Sequence, residues 1–309
     1  VRGGATGGRD AGALLLIVPA GLLGVGFAWL LTAGTAPAEG VVRVLADGLG
    51  ATVLGLAALP RLHERLAPPW RMLAALAGAW CVTEFAVLVF EASEVVGVPV
   101  RRLSADRFGT FLTEISGGQV GIAILIATAT VAGYSALAFR GSDTASTDLV
   151  LVFAAVALAL RPITGHMSQQ PFGSVLAAVH ALAAAAWFGV LVALAMVVRT
   201  RGEWAATLPR YSALALPLIG VVATTGVVNG IVRLGGLEPL LSTGYGRILL
   251  AKTAVLAGLL VLGWWWRRGW VRLAADHRMD AVGSLRRAVL EVTVMAVAFG
   301  LAATLAVTA

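Results

Sequence analysis

Residues 172–198 read FGSVLAAVHALAAAAWFGVLVALAMVV, a run without Asp, Glu, Lys or Arg whose one ionisable side chain is His180. A helix of this length is ~40 Å long at 1.5 Å per residue, enough to cross the ~30 Å of hydrocarbon in a bilayer. Backbone amides in lipid must be satisfied within the segment or in a closed barrel. The run lacks the two-residue alternation of a barrel strand, so it predicts a transmembrane helix.

The same pattern recurs outward in both directions. Apolar segments of spanning length fall at 13–33, 42–60, 70–92, 118–139, 148–165, 172–198, 211–232, 246–266 and 287–307. Hydrophobic residues make up 59% of the 309 and charged residues only 13%, against roughly 25% in a soluble domain. Mean hydropathy is +0.90. Too few charges remain to coat a water-facing surface, so the bilayer itself is the expected partner. The fold class expected is all-α: a polytopic membrane helical bundle of about nine transmembrane helices. One membrane domain covers 1–309, with helices 1–4 in 1–145 and helices 5–9 in 146–309. The gap at 93–117 is the longest polar loop. Arg2 and Arg9 ahead of an apolar stretch imitate a signal peptide, but 13–33 exceeds a signal core in length and is expected to remain as the first helix. A single cysteine, Cys81, excludes an intrachain disulfide and a CxxC site.

Of the 23 Lys and Arg residues, fifteen fall on the side of the N-terminus and of the gaps after helices 2, 4, 6 and 8, and eight on the other. The positive-inside rule then sets the N-terminus in the cytoplasm and the C-terminus outside. Gly165–Pro171 and the acidic gap after helix 3 become external. These loops account for the net charge of +7, and nucleic acid is not an expected partner. Trp264, Trp265 and Trp266 before Arg267 and Arg268 read as an interfacial anchor.

Ionisable groups inside a span cost a few kcal/mol on insertion scales, so each is a candidate for function. His180 shares a helix face with Trp187, seven residues on. A neutral imidazole there can ligate a metal or a haem iron, or simply bond to a neighbouring helix. His166 and Met167, at the outer end of helix 5, pair an imidazole with a thioether, a donor set suited to Cu(I). An ordinary loop histidine beside a hydrophobic methionine is the alternative. Pro171 keeps His166 and His180 off one uninterrupted helix. Glu84 and Glu91 share a face of helix 3, and Arg43 and Asp47 are spaced as an i,i+4 pair. Asn229, Arg233 and Lys252 add polar groups on the outer side. Glu291 has the spacing to pair with Arg287. Arg161-Pro162 marks the end of the regular part of helix 5. No nucleophile elbow, phosphate loop, Rossmann fingerprint or HExxH is present.

Several of these residues lie in ordered motifs. Thr164-Gly165-His166, His180 with Trp187-Phe188-Gly189, and Arg210-Tyr211-Ser212-Ala213-Leu214-Ala215 resemble the CopD (copper resistance D) family. So do Thr243-Gly244-Tyr245-Gly246-Arg247-Ile248-Leu249-Leu250-Ala251-Lys252 and Leu285-Arg286-Arg287 followed by Glu291. The resemblance covers 160–305, which makes 146–309 a CopD-like core. The stretch around Thr113-Glu114-Ile115 looks like long actinobacterial versions, in which a CtaG-like oxidase-assembly half often follows. The chain is then a stand-alone form or one part of a longer fusion.

The resemblance implies copper handling in the plasma (inner) membrane, without enzymatic activity. Its partners would be the copper ion and a periplasmic copper chaperone or CtaG-like assembly protein. The expected ligands are His166, Met167 and His180, with Glu84, Trp187, Asn229 and Lys252 along the route or behind the ligands. The family motif often reads Gly-His-Ala, whereas Met167 here adds a thioether. Helix 6 also resembles bacterial membrane protoporphyrinogen oxidases, which makes haem the alternative cofactor. A cytochrome oxidase assembly factor without transport is a third reading.

Overall fold

Poly-apolar segments with internal hydrogen bonding dictate helices, and helices account for the regular structure. The structure is a computed structural model that describes residues 12–32, 39–141, 145–164, 172–234, 236 and 238–307. After a 3₁₀ turn at Gly12–Leu16 come α1 (Ile17–Leu31), α2 (Glu39–Leu62) and α3 (Trp70–Val96). Next are α4 (Ala105–Glu114), α5 (Ser116–Phe139) and α6 (Asp148–Leu160), which runs into a 3₁₀ turn, Arg161–Thr164. The remainder is α7 (Gly173–Val197), α8 (Arg201–Leu234), the short α9 (Pro239–Ser242), α10 (Gly244–Arg268), α11 (Trp270–Ala275) and α12 (Ala281–Val307).

Among the described residues eight helical stretches are long and apolar enough to cross a membrane: 14–31, 39–62, 70–96, 116–139, 173–197, 201–234, 244–275 and 281–307. The ninth expected segment, 148–165, differs. Its regular part, α6, has 13 residues and is ~20 Å long. The 3₁₀ turn after it, containing Pro162, adds ~8 Å at the 3₁₀ rise. Pro162, which has no amide hydrogen to give the α-helical ladder, explains the change of helix type.

The expected polar loop at 93–117 also takes a different form. Gly97 adopts φ 70° and closes α3 in the left-handed conformation. Ser104 then caps α4, its side chain accepting from the Arg107 amide. This short helix is amphipathic, and it buries Phe111 against Leu88 and Ala92 of α3.

Small residues set how closely the long helices approach. α2 and α7 form the centre, with Ala46, Ala51, Val53, Leu56, Ala57 and Leu59 of α2 and Leu191, Ala193, Leu194 and Ala195 of α7 fully buried. They cross at Gly55 and Gly189, where a methyl group on either would collide with the backbone of the other helix. Gly24 of α1 and Gly300 of α12 make a second backbone-to-backbone contact.

These contacts define two faces. One carries the starts of α2, α7 and α10 and the ends of α3, α8 and α12; it is called the Glu39 face below. The opposite face is arginine-rich. There Arg61 of α2 pairs with Asp148 of α6, Arg210 of α8 donates to the Leu62 carbonyl, and Arg267 of α10 donates to Ser212. Trp264 and Trp265 project outward on this side, and Arg268 lies 4.0 Å over the Trp264 ring. Trp266 instead packs edge-on against Trp270 at 5.3 Å. The aromatic anchor is thus two outward rings and one inward.

Candidate functional site

His180 sits seven residues into α7, hence ~10 Å below its start. It is half-buried between α8 and α10. Gly226 of α8 allows the ring to lie close: a Cβ there would be 3.4 Å from the imidazole Cε1. The imidazole Nδ1 is 2.8 Å from the Thr225 hydroxyl of α8. That hydroxyl already donates its hydrogen to the Val221 carbonyl at 2.6 Å, so it meets the ring as an acceptor. Nδ1 therefore carries the hydrogen and Nε2 keeps its lone pair. The lone pair faces the Lys252 ammonium of α10, with Nε2 and Nζ 3.4 Å apart.

Asn229 lies one helical turn from Thr225 toward the Glu39 face, and its Oδ1 is buried without a hydrogen-bond partner among the described residues. Next to it, Gly230 faces the Leu249 side chain of α10. Four polar side chains from three helices thus line one seam: His180, Thr225, Asn229 and Lys252. Among the described residues no carboxylate stands within ion-pair distance of Lys252. Trp187, two turns below His180, is buried. Its indole N–H has no acceptor among the described residues, and its backbone carbonyl accepts from the Tyr211 hydroxyl at 3.4 Å.

His166 and Met167 lie outside the described residues. Among those described, no group of three or more His, Cys, Asp or Glu side chains is placed to hold a metal ion.

A second buried polar group joins α2, α3 and the end of α6. Glu84, buried in α3, accepts from the Trp80 indole at 2.8 Å and pairs with Arg161. Arg161 also reaches Asp47 of α2 at 3.6 Å. The expected i,i+4 pair of Arg43 with Asp47 is replaced: Arg43 turns back to Glu39 at 3.2 Å and across to Glu91 at 3.9 Å. Asp47 instead faces Arg161, a partner supplied from the end of α6, which spacing along one helix does not reveal. A polar cavity of ≈ 10 Å³ adjoins Glu84, Glu91 and Arg161, room for about one water molecule. Glu291 makes no ion pair with Arg287 either; the Arg287 guanidinium lies 3.3 Å from the Met279 sulfur. Arg161, expected only to mark the end of regular helix, is a buried partner of two carboxylates. The signal was there, an arginine within an apolar span, which by its insertion cost marks a partner.

Two family models match the chain. Residues 35–171 match the family model described as "Copper resistance protein D-like, N-terminal domain". Residues 205–305 match the model described as "Copper resistance protein D". Among curated proteins, the chain is 26% identical over 168 residues to the copper transport protein CutJ of Bacillus subtilis (strain 168), covering 49% of this chain. The match spans 30% of that relative's length. No solved structure matches the chain. With both family models on a polytopic helical membrane bundle, the chain belongs to the copper resistance protein D (CopD) family.

Proposed function

We propose that the protein carries copper across the plasma membrane, taking Cu(I) from the external side through His180, His166 and Met167. The observation that supports this reading best is the His180 imidazole, held inside the bundle with Nδ1–H on Thr225 and its Nε2 lone pair turned into the seam toward Lys252. Imidazole nitrogen and thioether sulfur are donors that favour Cu(I). A hydrogen bond on the distal nitrogen is the usual means of fixing a ligating histidine. His166 and Met167 precede α7 in the sequence and supply the remaining donors. Asn229 and Lys252 line the seam beside His180, and Glu84 and Trp187 act behind the ligands. The protein works as a carrier, not a catalyst. Its N-terminus is cytoplasmic and its C-terminus external, and a periplasmic chaperone or CtaG-like assembly protein is its exchange partner.

The test is metal analysis and an absorption spectrum of the purified chain, with copper accumulation in cells. The expected result is bound copper that is lost in His180→Ala, together with reduced cellular copper in a null strain. A Soret band lost on the same substitution would overturn it in favour of haem. Unchanged cellular copper alongside a defective oxidase would replace transport by delivery.

A further inference from the structure

Lys252 stands where a ligand of His180 would stand. An imidazole-bound metal lies ~2 Å from the nitrogen along its lone pair. The Lys252 Nζ is 3.4 Å from Nε2. A metal ion and the ammonium cannot both occupy the space in front of that lone pair, and like charge opposes them further. No carboxylate among the described residues holds the ammonium there. Among the described residues the imidazole lone pair is its one polar partner.

The same seam contains an unused acceptor. Asn229 Oδ1 is buried and has no hydrogen-bond partner among the described residues, so its desolvation goes uncompensated. Gly230 beside it faces Leu249, which precedes Lys252 by three residues on α10. Asn229 therefore lies about one turn nearer the Glu39 face than the ammonium. Lysine side chains extend along helices toward the membrane surface on a flexible four-carbon stem, and that movement would bring Nζ toward the Asn229 oxygen.

We propose that Lys252 is a two-position latch: in this state it caps His180, and it swings to Asn229 when a metal takes the imidazole. The inference rests on the reading of His180 as a copper ligand and adds how that ligand is kept closed until cargo arrives. Lys252 is thus a positioning residue. It excludes small adventitious cations from the lone pair, and Asn229 offsets the cost of moving it.

Two measurements on the full chain in detergent or nanodiscs test the latch. The first uses no metal: diethyl pyrocarbonate attacks an accessible imidazole lone pair, and the modified His180 is quantified by mass spectrometry. Lys252→Leu is expected to speed modification at least tenfold, whereas Lys252→Arg stays near the wild-type rate. The second is Cu(I) competition against a chromophoric chelator. Lys252→Leu is expected to bind at least tenfold tighter and Asn229→Leu several-fold weaker. Combining Asn229→Leu with Lys252→Leu is expected to restore the tight value, a coupling that a merely structural asparagine would not produce. Unchanged His180 modification in Lys252→Leu overturns the latch, as does Cu(I) binding no tighter than wild type. If His180→Ala binds Cu(I) as well as wild type, the copper reading of the site fails. Faster modification of His180 in Lys252→Leu would then still report the cap, but the metal-driven swing would be refuted.

Discussion

Asp47 and Arg161 lie 3.6 Å apart, joining α2 to the point where α6 changes from α to 3₁₀ geometry. Glu84 of α3 holds the same guanidinium, so one arginine ties three elements together below the Glu39 face. In a low-dielectric interior, breaking such a group leaves an unpaired buried charge. Arg161→Gln is expected to destabilise the bundle by about 3–5 kcal/mol, read as a lower midpoint of thermal unfolding in detergent. Glu84→Gln and the Arg161→Gln/Glu84→Gln double variant should show a coupling of at least 0.5 kcal/mol. Simple additivity would contradict the contact.

The crossing of α2 and α7 has no room for a side chain at Gly55 or Gly189. Gly189→Val is expected to cost at least ~1–3 kcal/mol, the usual penalty of overpacking, and to lower the yield of monodisperse protein. Gly78→Val, at a helix position with nothing near its Cβ, should be tolerated by the same assay.

Thr225 fixes the tautomer of His180. Thr225→Val keeps the shape and removes the acceptor, and is expected to weaken Cu(I) binding 10–100-fold, as loss of a distal hydrogen bond does at metal-ligating histidines. Thr225→Ser should restore most of it. Equal loss in both variants would mean that the methyl group, not the hydroxyl, is what matters.

Orientation is testable through the single cysteine. In a Cys81→Ser background, Arg101→Cys and Arg278→Cys each place an exposed thiol on opposite faces. A membrane-impermeant maleimide is expected to label the first in intact cells and the second only after permeabilisation. The reverse pattern would invert the topology.

Much of this architecture could be read from the residues because lipid imposes one rule on every span. Length and apolarity located α1, α2, α3, α5, α7, α8, α10 and α12, and the Arg161-Pro162 pair marked where α6 loses its regular form. What could not be read was pairing between helices. Spacing offered Arg43 to Asp47, but neighbouring helices offered Glu91 and Arg161 at better positions. Helix α4 was hidden because polar residues on its outer face masked Phe111, whose partners Ala92 and Leu88, nineteen and twenty-three residues back, meet it only in the fold. At the candidate site, His180, Asn229 and Lys252 were legible as costly polar groups in apolar surroundings. Thr225 was not, since a threonine bonded to its own helix is commonplace and its tie to His180 depends on how α7 lies against α8.

The meeting of Gly55 with Gly189 also constrains traffic through the bundle. Where two main chains touch, there is no lumen for even a dehydrated ion, and the crossing of α2 and α7 is closed at that level. In the proposed transport, copper on His180 would leave along the flank that the imidazole faces, between α8 and α10. Proline-bearing α8, with Pro209 and Pro217 interrupting its hydrogen-bond ladder, is the wall on that flank best suited to give way.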